Sequence, residues 1–188
     1  MVSDPESGRR ERVLATALAT FARYGYKKTS MDDVARAADI SRPGLYFLFA
    51  SKENLFRAAV TRALEDDIAA AKRALDDTGR PLRDRLIEAF DLWTGRYIGP
   101  MAGDVALLME TNPALLGPVV VDCPERFAAL ITDAVTAGLP RRGGDVARDT
   151  ARTLLSTARG IKYEVGTREE FAQRMTVAVD LLLPAGDR

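Results

Sequence analysis

The spacing of the apolar residues constrains this fold more than any other feature of the sequence. Along almost all of the 188 residues, apolar side chains recur every three or four positions, and no stretch alternates with the two-residue period of a strand. Apolar residues make up 47% of the chain, which is enough to build a core. The sequence therefore predicts an all-α protein of about nine helices, broken at its glycines and prolines.

Local signals place the helix ends. Ser30 with Asp33, and Thr167 with Glu170, have the spacing of capping boxes, and Gly25 is a natural stop for a first helix. The predicted helices span about 9–24, 31–38, 42–50, 51–75, 81–98, 102–110, 118–137, 144–165 and 168–183.

The second and third helices are too short to be stable alone, because helices of about two turns bury too little surface. Val34, Ala35 and Leu45 would face the first helix and complete a three-helix unit. Two short helices joined at residues 38–41 are typical of a helix-turn-helix, here spanning residues 31–50. We expect this motif within an N-terminal domain of residues 9–68, followed by a C-terminal domain of residues 69–188.

The outward face of the third helix is unusual for a solvated surface. It carries Arg42, Pro43, Gly44, Tyr46 and Phe47. An arginine can contact guanine through two hydrogen bonds, while proline, glycine and phenylalanine suit thymine methyls and a close backbone approach. Recognition helices read bases with their N-terminal residues, where these side chains lie. The pattern predicts base contacts, and a scaffold in which Phe47 is core is the alternative.

Phosphate contacts are predicted beside this helix. Thr29 and Ser30 offer hydroxyls and free N–H groups at the start of the second helix, and Tyr46 offers a phenol. Lys52 combines an ammonium group with the positive end of the fourth helix. Such contacts set affinity and register rather than sequence preference.

Composition excludes several functional classes. The chain has no histidine, which rules out a Ser-His-Asp or Cys-His catalytic set and a histidine-based metal site. There is no glycine-rich phosphate loop or dinucleotide fingerprint. We therefore expect neither an enzyme nor a bound cofactor or metal. Residues 1–60 carry ten Lys/Arg against seven Asp/Glu, a net +3 in a chain that is neutral overall, which weakly favours phosphate contacts at this end.

The single cysteine bears on the compartment. Cys123 cannot form an intramolecular disulfide, which favours a reducing environment, and we assign it no role. The first twelve residues lack the apolar stretch of a secretory signal, and no window approaches the ~20 apolar residues of a membrane helix. We expect a cytoplasmic protein that does not contact a membrane.

Residues 9–60 resemble the N-terminal domain of the TetR (tetracycline repressor) family of transcriptional regulators. The matching runs are ALATFARYGY from Ala17, Thr29-Ser30-Met31, Val34-Ala35, GLYFLF from Gly44 and SKENLF from Ser51. One position departs from the pattern, because Leu48 stands where the family often has a histidine that contacts phosphate. The resemblance implies a homodimer that binds palindromic double-stranded operator DNA, and a C-terminal domain that binds a small-molecule effector.

The last two predicted helices carry apolar residues at heptad-like spacing. Taken alone, this pattern indicates ordinary core, but in the family the last two long helices form the dimer as a four-helix bundle. The resemblance therefore implies a dimer interface at Ala151, Leu154, Ala158, Ile161, Val165, Phe171, Met175, Ala178 and Leu182. A dimer would also set two recognition helices about one DNA turn (~34–36 Å) apart.

Candidate ligand-binding residues lie in the middle of the chain. Trp93, Tyr97, Met101, Met109 and Phe127 could line an apolar cavity, and Glu110 could meet a cationic or hydroxylated ligand. Packing residues of the core are the alternative for each of them. The resulting hypothesis is a repressor that a small molecule releases from DNA. A helical carrier of small hydrophobic molecules, whose N-terminal domain no longer binds DNA, is the competing hypothesis.

Overall fold

The computed structural model describes residues 5–99, 113–140 and 143–183, and within them the chain is helical throughout, with no strand. The all-α prediction is confirmed. The helices are α1 (Pro5–Tyr24), α2 (Met31–Ala37), α3 (Arg42–Leu48), α4 (Lys52–Asp76), α5 (Leu82–Trp93), a 3-10 turn (Gly95–Tyr97), α6 (Pro113–Leu116), α7 (Val119–Gly138), α8 (Gly144–Glu164) and α9 (Arg168–Leu182). The helix predicted at 102–110 lies outside the described residues.

The described residues form two compact units. Residues 5–65 and 113–120 make the first unit, and residues 66–99, 121–140 and 143–183 make the second. Helix α4 contributes residues to both units. The sequence did not predict that α6 joins the first unit, where Nε of Arg57 donates to the carbonyl of Leu115 at 2.9 Å. The predicted domain boundary at residue 68 stays a prediction.

The first unit is organised around a cluster of three aromatic rings. Phe21 and Phe56 are fully buried, and their ring centres lie 5.1 Å apart in an edge-to-face arrangement. Tyr26 completes the cluster, 5.7 Å from Phe21 and 4.8 Å from Phe56. Leu45 of α3 and Val34 of α2 are also fully buried. The short helices are therefore held by α1 and α4 rather than by their own length.

The second unit combines an aromatic core with ion pairs between α5 and α9. The rings of Phe90 and Phe127 lie 5.5 Å apart. The guanidinium of Arg83 donates to both carboxylate oxygens of Asp180, at 2.6 and 3.0 Å. Such two-point pairs fix geometry better than single contacts do, so they set the position of α9 against α5.

The capping predictions are confirmed at both ends of the chain. The Thr167 hydroxyl accepts a hydrogen bond from the backbone of Glu170, whose carboxylate accepts one from Thr167 in return. Ser30 and Asp33 form the same reciprocal pair. Gly25 ends α1 with a φ of 82°, a conformation that glycine adopts without strain.

The heptad-like stripe of α8 and α9 faces the interior of the second unit. Six of the nine predicted interface residues are buried within the single chain: Ala151, Leu154, Ala158, Ile161, Phe171 and Met175. Val165, Ala178 and Leu182 are half-buried. The predicted dimer interface is therefore corrected for the six buried residues, because they already pack within the chain. For the three half-buried residues it stays a prediction.

Different apolar residues of these two helices are exposed. Tyr163 of α8 is 66% exposed, and Val177 and Leu181 of α9 are 58% and 80% exposed. None of the three was in the predicted interface. Across the described residues, no helix is long and apolar enough to cross a membrane.

Candidate nucleic-acid interface

Helix α2 and its connection to α3 are set by local hydrogen bonds. The hydroxyl of Ser30 accepts from the backbone N–H of Asp33 at 3.2 Å and donates to its carboxylate at 2.6 Å. The hydroxyl and the backbone N–H of Ser30 both donate to the Asp33 carboxylate, and these two bonds lower the pKa of Asp33 below its usual range. After α2, Asp39 takes a left-handed φ of 51°, and the N–H of Ile40 returns to the carbonyl of Ala35 at 3.0 Å. The turn therefore reverses the chain in a few residues.

The start of helix α3 is fixed by a cap between Ser41 and Gly44. The hydroxyl of Ser41 accepts from the N–H of Gly44 at 3.1 Å. A Cβ on Gly44 would lie 3.0 Å from that same oxygen, so any larger residue would crowd the cap. Pro43 lies in the first turn, where its missing N–H costs nothing. Gly44 thus has a structural role, and its close approach to DNA stays a prediction.

One side of α3 is packed and the other is open. Leu45 is fully buried, whereas Phe47 is 82% exposed and Tyr46 is 41% exposed. Arg42 and Pro43 are also exposed. The structure therefore brings Arg42, Pro43, Tyr46 and Phe47 together on one open surface, and Phe47 is not core. Two exposed aromatic rings side by side, Tyr46 and Phe47, give this side of α3 an apolar patch that suits an interaction surface.

Charged groups surround this surface. The guanidinium of Arg42 lies 5.6 Å from the centre of the Tyr46 ring, and its Nη1 donates to Asp32 at 3.2 Å. Arg9 was not singled out from the sequence, because it lies 35 residues from Gly44 along the chain. In the fold, its Nη2 lies 3.6 Å from where a Cβ on Gly44 would stand. Arg10 is held 4.9 Å over the ring of Phe49. Helix α1 thus adds arginines next to α3.

Two residues that were predicted to contact phosphate use their hydroxyl groups in hydrogen bonds within the protein. Thr29 is 2% exposed, and its hydroxyl donates to the carbonyl of Gly25 at 2.8 Å. The prediction of a hydroxyl contact from Thr29 is therefore wrong, because that hydroxyl is buried and satisfies an open carbonyl near the end of α1. The hydroxyl and N–H of Ser30 both point to Asp33, so Ser30 acts first as a cap.

Lys52 also makes contacts that the sequence did not reveal. Its ammonium donates to the carbonyls of Tyr26 and Thr29 at 3.0 and 3.1 Å and lies 4.4 Å from the centre of the Tyr26 ring. Burial raises the pKa of Tyr26 above its ordinary value. An ammonium has three N–H donors, so one is left for a phosphate. The predicted contact stays a prediction, now joined to a role in stability.

Three of the candidate ligand residues lie within the described part of the chain and three lie outside it. Trp93 stacks on the buried ring of Phe127 at 5.1 Å, so these two residues take part in the core of the second unit. The phenol of Tyr97 donates to Asp67. Met101, Met109 and Glu110 lie outside the described residues. Their predicted role in ligand binding stays a prediction.

Asp67 is a buried carboxylate that the sequence did not single out. It is fully buried, accepts from the phenol of Tyr97 and pairs with the guanidinium of Arg96. Burial raises the pKa of Asp67, against the lowering effect of these two partners. Burial and the carboxylate together also raise the pKa of Tyr97. Within the described residues, no group of three or more Cys, Asp or Glu could hold a metal ion.

The geometry of α1 to α3 defines a helix-turn-helix module with an open third helix, the class of fold that binds DNA. Residues 13–59 match the model of the bacterial regulatory proteins of the tetR family. This N-terminal part of the chain is therefore similar to the DNA-binding part of that family.

Curated relatives match the N-terminal part of the chain. The transcriptional activator FasR of Mycolicibacterium smegmatis is 35% identical over 89 residues, which is 46% of this chain and 40% of the relative. A probable acrEF/envCD operon repressor of Escherichia coli is 29% identical over 105 residues, 53% of this chain and 44% of the relative. The chain thus matches less than half the length of these relatives.

Solved structures match almost the whole fold at low sequence identity. A TetR-family regulator of Mesorhizobium loti, described as putative, has a TM-score of 0.74 at 17% identity, over 96% of this chain and 98% of that one. A regulator of Saccharomonospora viridis in complex with choline, also described as putative, has a TM-score of 0.73 at 19% identity, over 93% and 96%. At these identities the likenesses show a shared fold.

Proposed function

We propose that this protein is a sequence-specific DNA-binding transcriptional regulator rather than an enzyme. The observation that carries the proposal is the open face of α3, where Phe47 is 82% exposed beside Arg42 while Leu45 on the opposite side is fully buried. Exposing a phenylalanine to water is unfavourable unless a partner covers it. A thymine methyl in the major groove is such a partner, and Arg42 supplies the donors for a neighbouring guanine.

The regulator acts as a homodimer on a palindromic operator. One α3 reads too few bases for specificity, and a second copy one helical turn away doubles the contact. Tyr163, Val177 and Leu181 give α8 and α9 an exposed apolar surface for this pairing. This surface replaces the inward-facing stripe as the proposed interface.

A small molecule bound by the second unit releases the protein from DNA. The name of one curated relative describes an activator and that of another a probable repressor. We propose repression here, with a ligand that favours a dimer whose recognition helices are wrongly spaced. The ligand must bind the two states with different affinity, because equal affinity would shift nothing.

Selection from random duplexes tests DNA binding without knowledge of the operator. The full chain is mixed with a random DNA library, bound sequences are recovered, and the dissociation constant is measured on the enriched site and on its scrambled version. We expect a palindromic site, and Arg42→Ala should cost about 1–3 kcal/mol on it and relax preference at one base pair.

Phe47→Ala is a companion variant that keeps the charge. Since Phe47 is 82% exposed, its removal should weaken operator binding and leave the unfolding midpoint unchanged. Enrichment of no sequence at low salt would overturn the proposal and favour the carrier of small hydrophobic molecules.

A further inference from the structure

The carboxylate of Asp32 is the nearest charged partner of Arg42. Nη1 of Arg42 donates to Oδ2 of Asp32 at 3.2 Å, and Nε lies 3.1 Å from Oδ1. Oδ1 is shielded from solvent and has no hydrogen-bond partner within the described structure, so the nearby guanidinium is what compensates its charge. The two side chains remain 47% and 62% exposed, so the pair lies at the surface.

A carboxylate in this place affects two kinds of DNA contact differently. Attraction to a phosphate depends on net charge, and Asp32 cancels the charge of Arg42 at close range. A guanine contact depends on directed N–H donors, and an arginine has five of them in a fixed arrangement. The ring of Tyr46, 5.6 Å away, further restricts where the guanidinium can turn.

We propose that Asp32 is a specificity-determining residue that suppresses binding of Arg42 to phosphates and thereby reserves it for a base. This inference rests on the proposed DNA-binding function. The carboxylate does not touch DNA in this scheme and acts only through Arg42. Its effect is therefore larger on unrelated DNA than on the operator, and selectivity is the quantity that it controls.

The salt dependence of binding tests this assignment. Freed from Asp32, Arg42 can neutralise one phosphate, so on scrambled DNA the slope of log K against log salt should steepen by about 0.9 in Asp32→Asn. The ratio of operator to scrambled affinity should fall roughly two- to fivefold, the range that a surface ion pair spans. A purely structural role of Asp32 would change neither this slope nor this ratio.

Asp39→Asn is the matched control. It makes the same change of charge in the same motif, at an exposed residue whose φ of 51° suits asparagine. We expect its slope on scrambled DNA to equal that of the wild type. Asp32→Glu should keep the wild-type slope, because it retains a carboxylate.

Dependence on Arg42 is the decisive comparison. In an Arg42→Ala background, Asp32→Asn should leave the slope on scrambled DNA unchanged, since no guanidinium is left to release. Circular dichroism melts of each variant exclude loss of the fold as a cause. If Asp32→Asn matches Asp39→Asn in slope and selectivity while the wild type still selects a site, this inference is wrong and the proposed function stands. If the wild type selects no site, the proposed function fails first.

Discussion

The ammonium of Lys52 donates to the carbonyl of Tyr26 at 3.0 Å and lies 4.4 Å from the centre of the ring of the same residue. The same group donates to the carbonyl of Thr29 at 3.1 Å. One side chain at the start of α4 thus fixes the loop between α1 and α2. Any contact of Lys52 with DNA would therefore come from an ammonium group that these carbonyls already hold in place.

Lys52→Ala should therefore reduce both stability and DNA affinity. Loss of two hydrogen bonds and the ring contact should lower the free energy of unfolding by about 1–2 kcal/mol. Loss of a phosphate contact should weaken binding equally on all sequences and flatten the salt slope by about one unit. Urea unfolding and salt-dependent titrations measure the two effects separately.

Lys27→Ala is the control for this prediction. Lys27 is an exposed lysine of the same loop, so its removal changes the charge without the two carbonyl contacts. It should leave the free energy of unfolding near the wild-type value. Equal unfolding curves for Lys52→Ala and Lys27→Ala would show that the loop does not depend on Lys52.

Thr29→Val tests the corrected role of Thr29. The change keeps the buried shape and removes the hydroxyl that donates to Gly25, so the free energy of unfolding should fall by about 1 kcal/mol. Thr29→Ser keeps the hydroxyl and should retain that hydrogen bond. The salt slope of DNA binding should be the same in all three proteins. A flatter slope in Thr29→Val alone would restore the phosphate contact that the sequence suggested.

Local and distant features of the fold differ in how well the sequence predicts them. The caps at Ser30, Ser41 and Thr167 follow from neighbours within a few residues, and so does the stop at Gly25. The open face of α3 follows from helical periodicity once Leu45 is taken as inward.

Other features depend on partners that are distant in sequence. Thr29 and Lys52 were assigned to phosphates because their backbone partners could not be seen from the sequence. Asp67 was missed because Arg96 and Tyr97 lie 29 and 30 residues away. The stripe that includes Leu154 was assigned to the wrong partner for a different reason. Helical periodicity predicts which face of a helix is buried, but it does not identify what covers that face.

Two carboxylates should give stability opposite dependences on pH. Burial raises the pKa of Asp67 above its ordinary value of 3.8, so the folded chain binds its proton more tightly than the unfolded chain. Stability from this group is thus greatest at low pH and is lost as pH rises through the raised pKa. The pKa of Asp33 is lowered, so its contribution is present above the ordinary value and is lost as pH falls through the lowered pKa.

Urea unfolding of Asp67→Asn and Asp33→Asn from about pH 7 down to about pH 2 separates the two contributions. On lowering the pH, the wild type should gain stability relative to Asp67→Asn. Over the same range it should lose stability relative to Asp33→Asn. Parallel pH profiles for the wild type and Asp67→Asn would contradict the assigned shift of Asp67.

Leu181→Glu should separate the proposed dimer into monomers. Leu181 is 80% exposed on α9, so a glutamate there is solvated in the monomer and unpaired only where a second copy covers it. Val121→Glu adds the same charge at a residue of α7 that is 55% exposed, and it should leave association unchanged. Sedimentation velocity over a concentration series measures both variants, with circular dichroism melts to confirm that each monomer is folded. Because a monomer presents one α3, Leu181→Glu should also lose most of its preference for a palindrome over a single half-site. Equal sedimentation of the two variants as dimers would place the interface on another surface of the second unit.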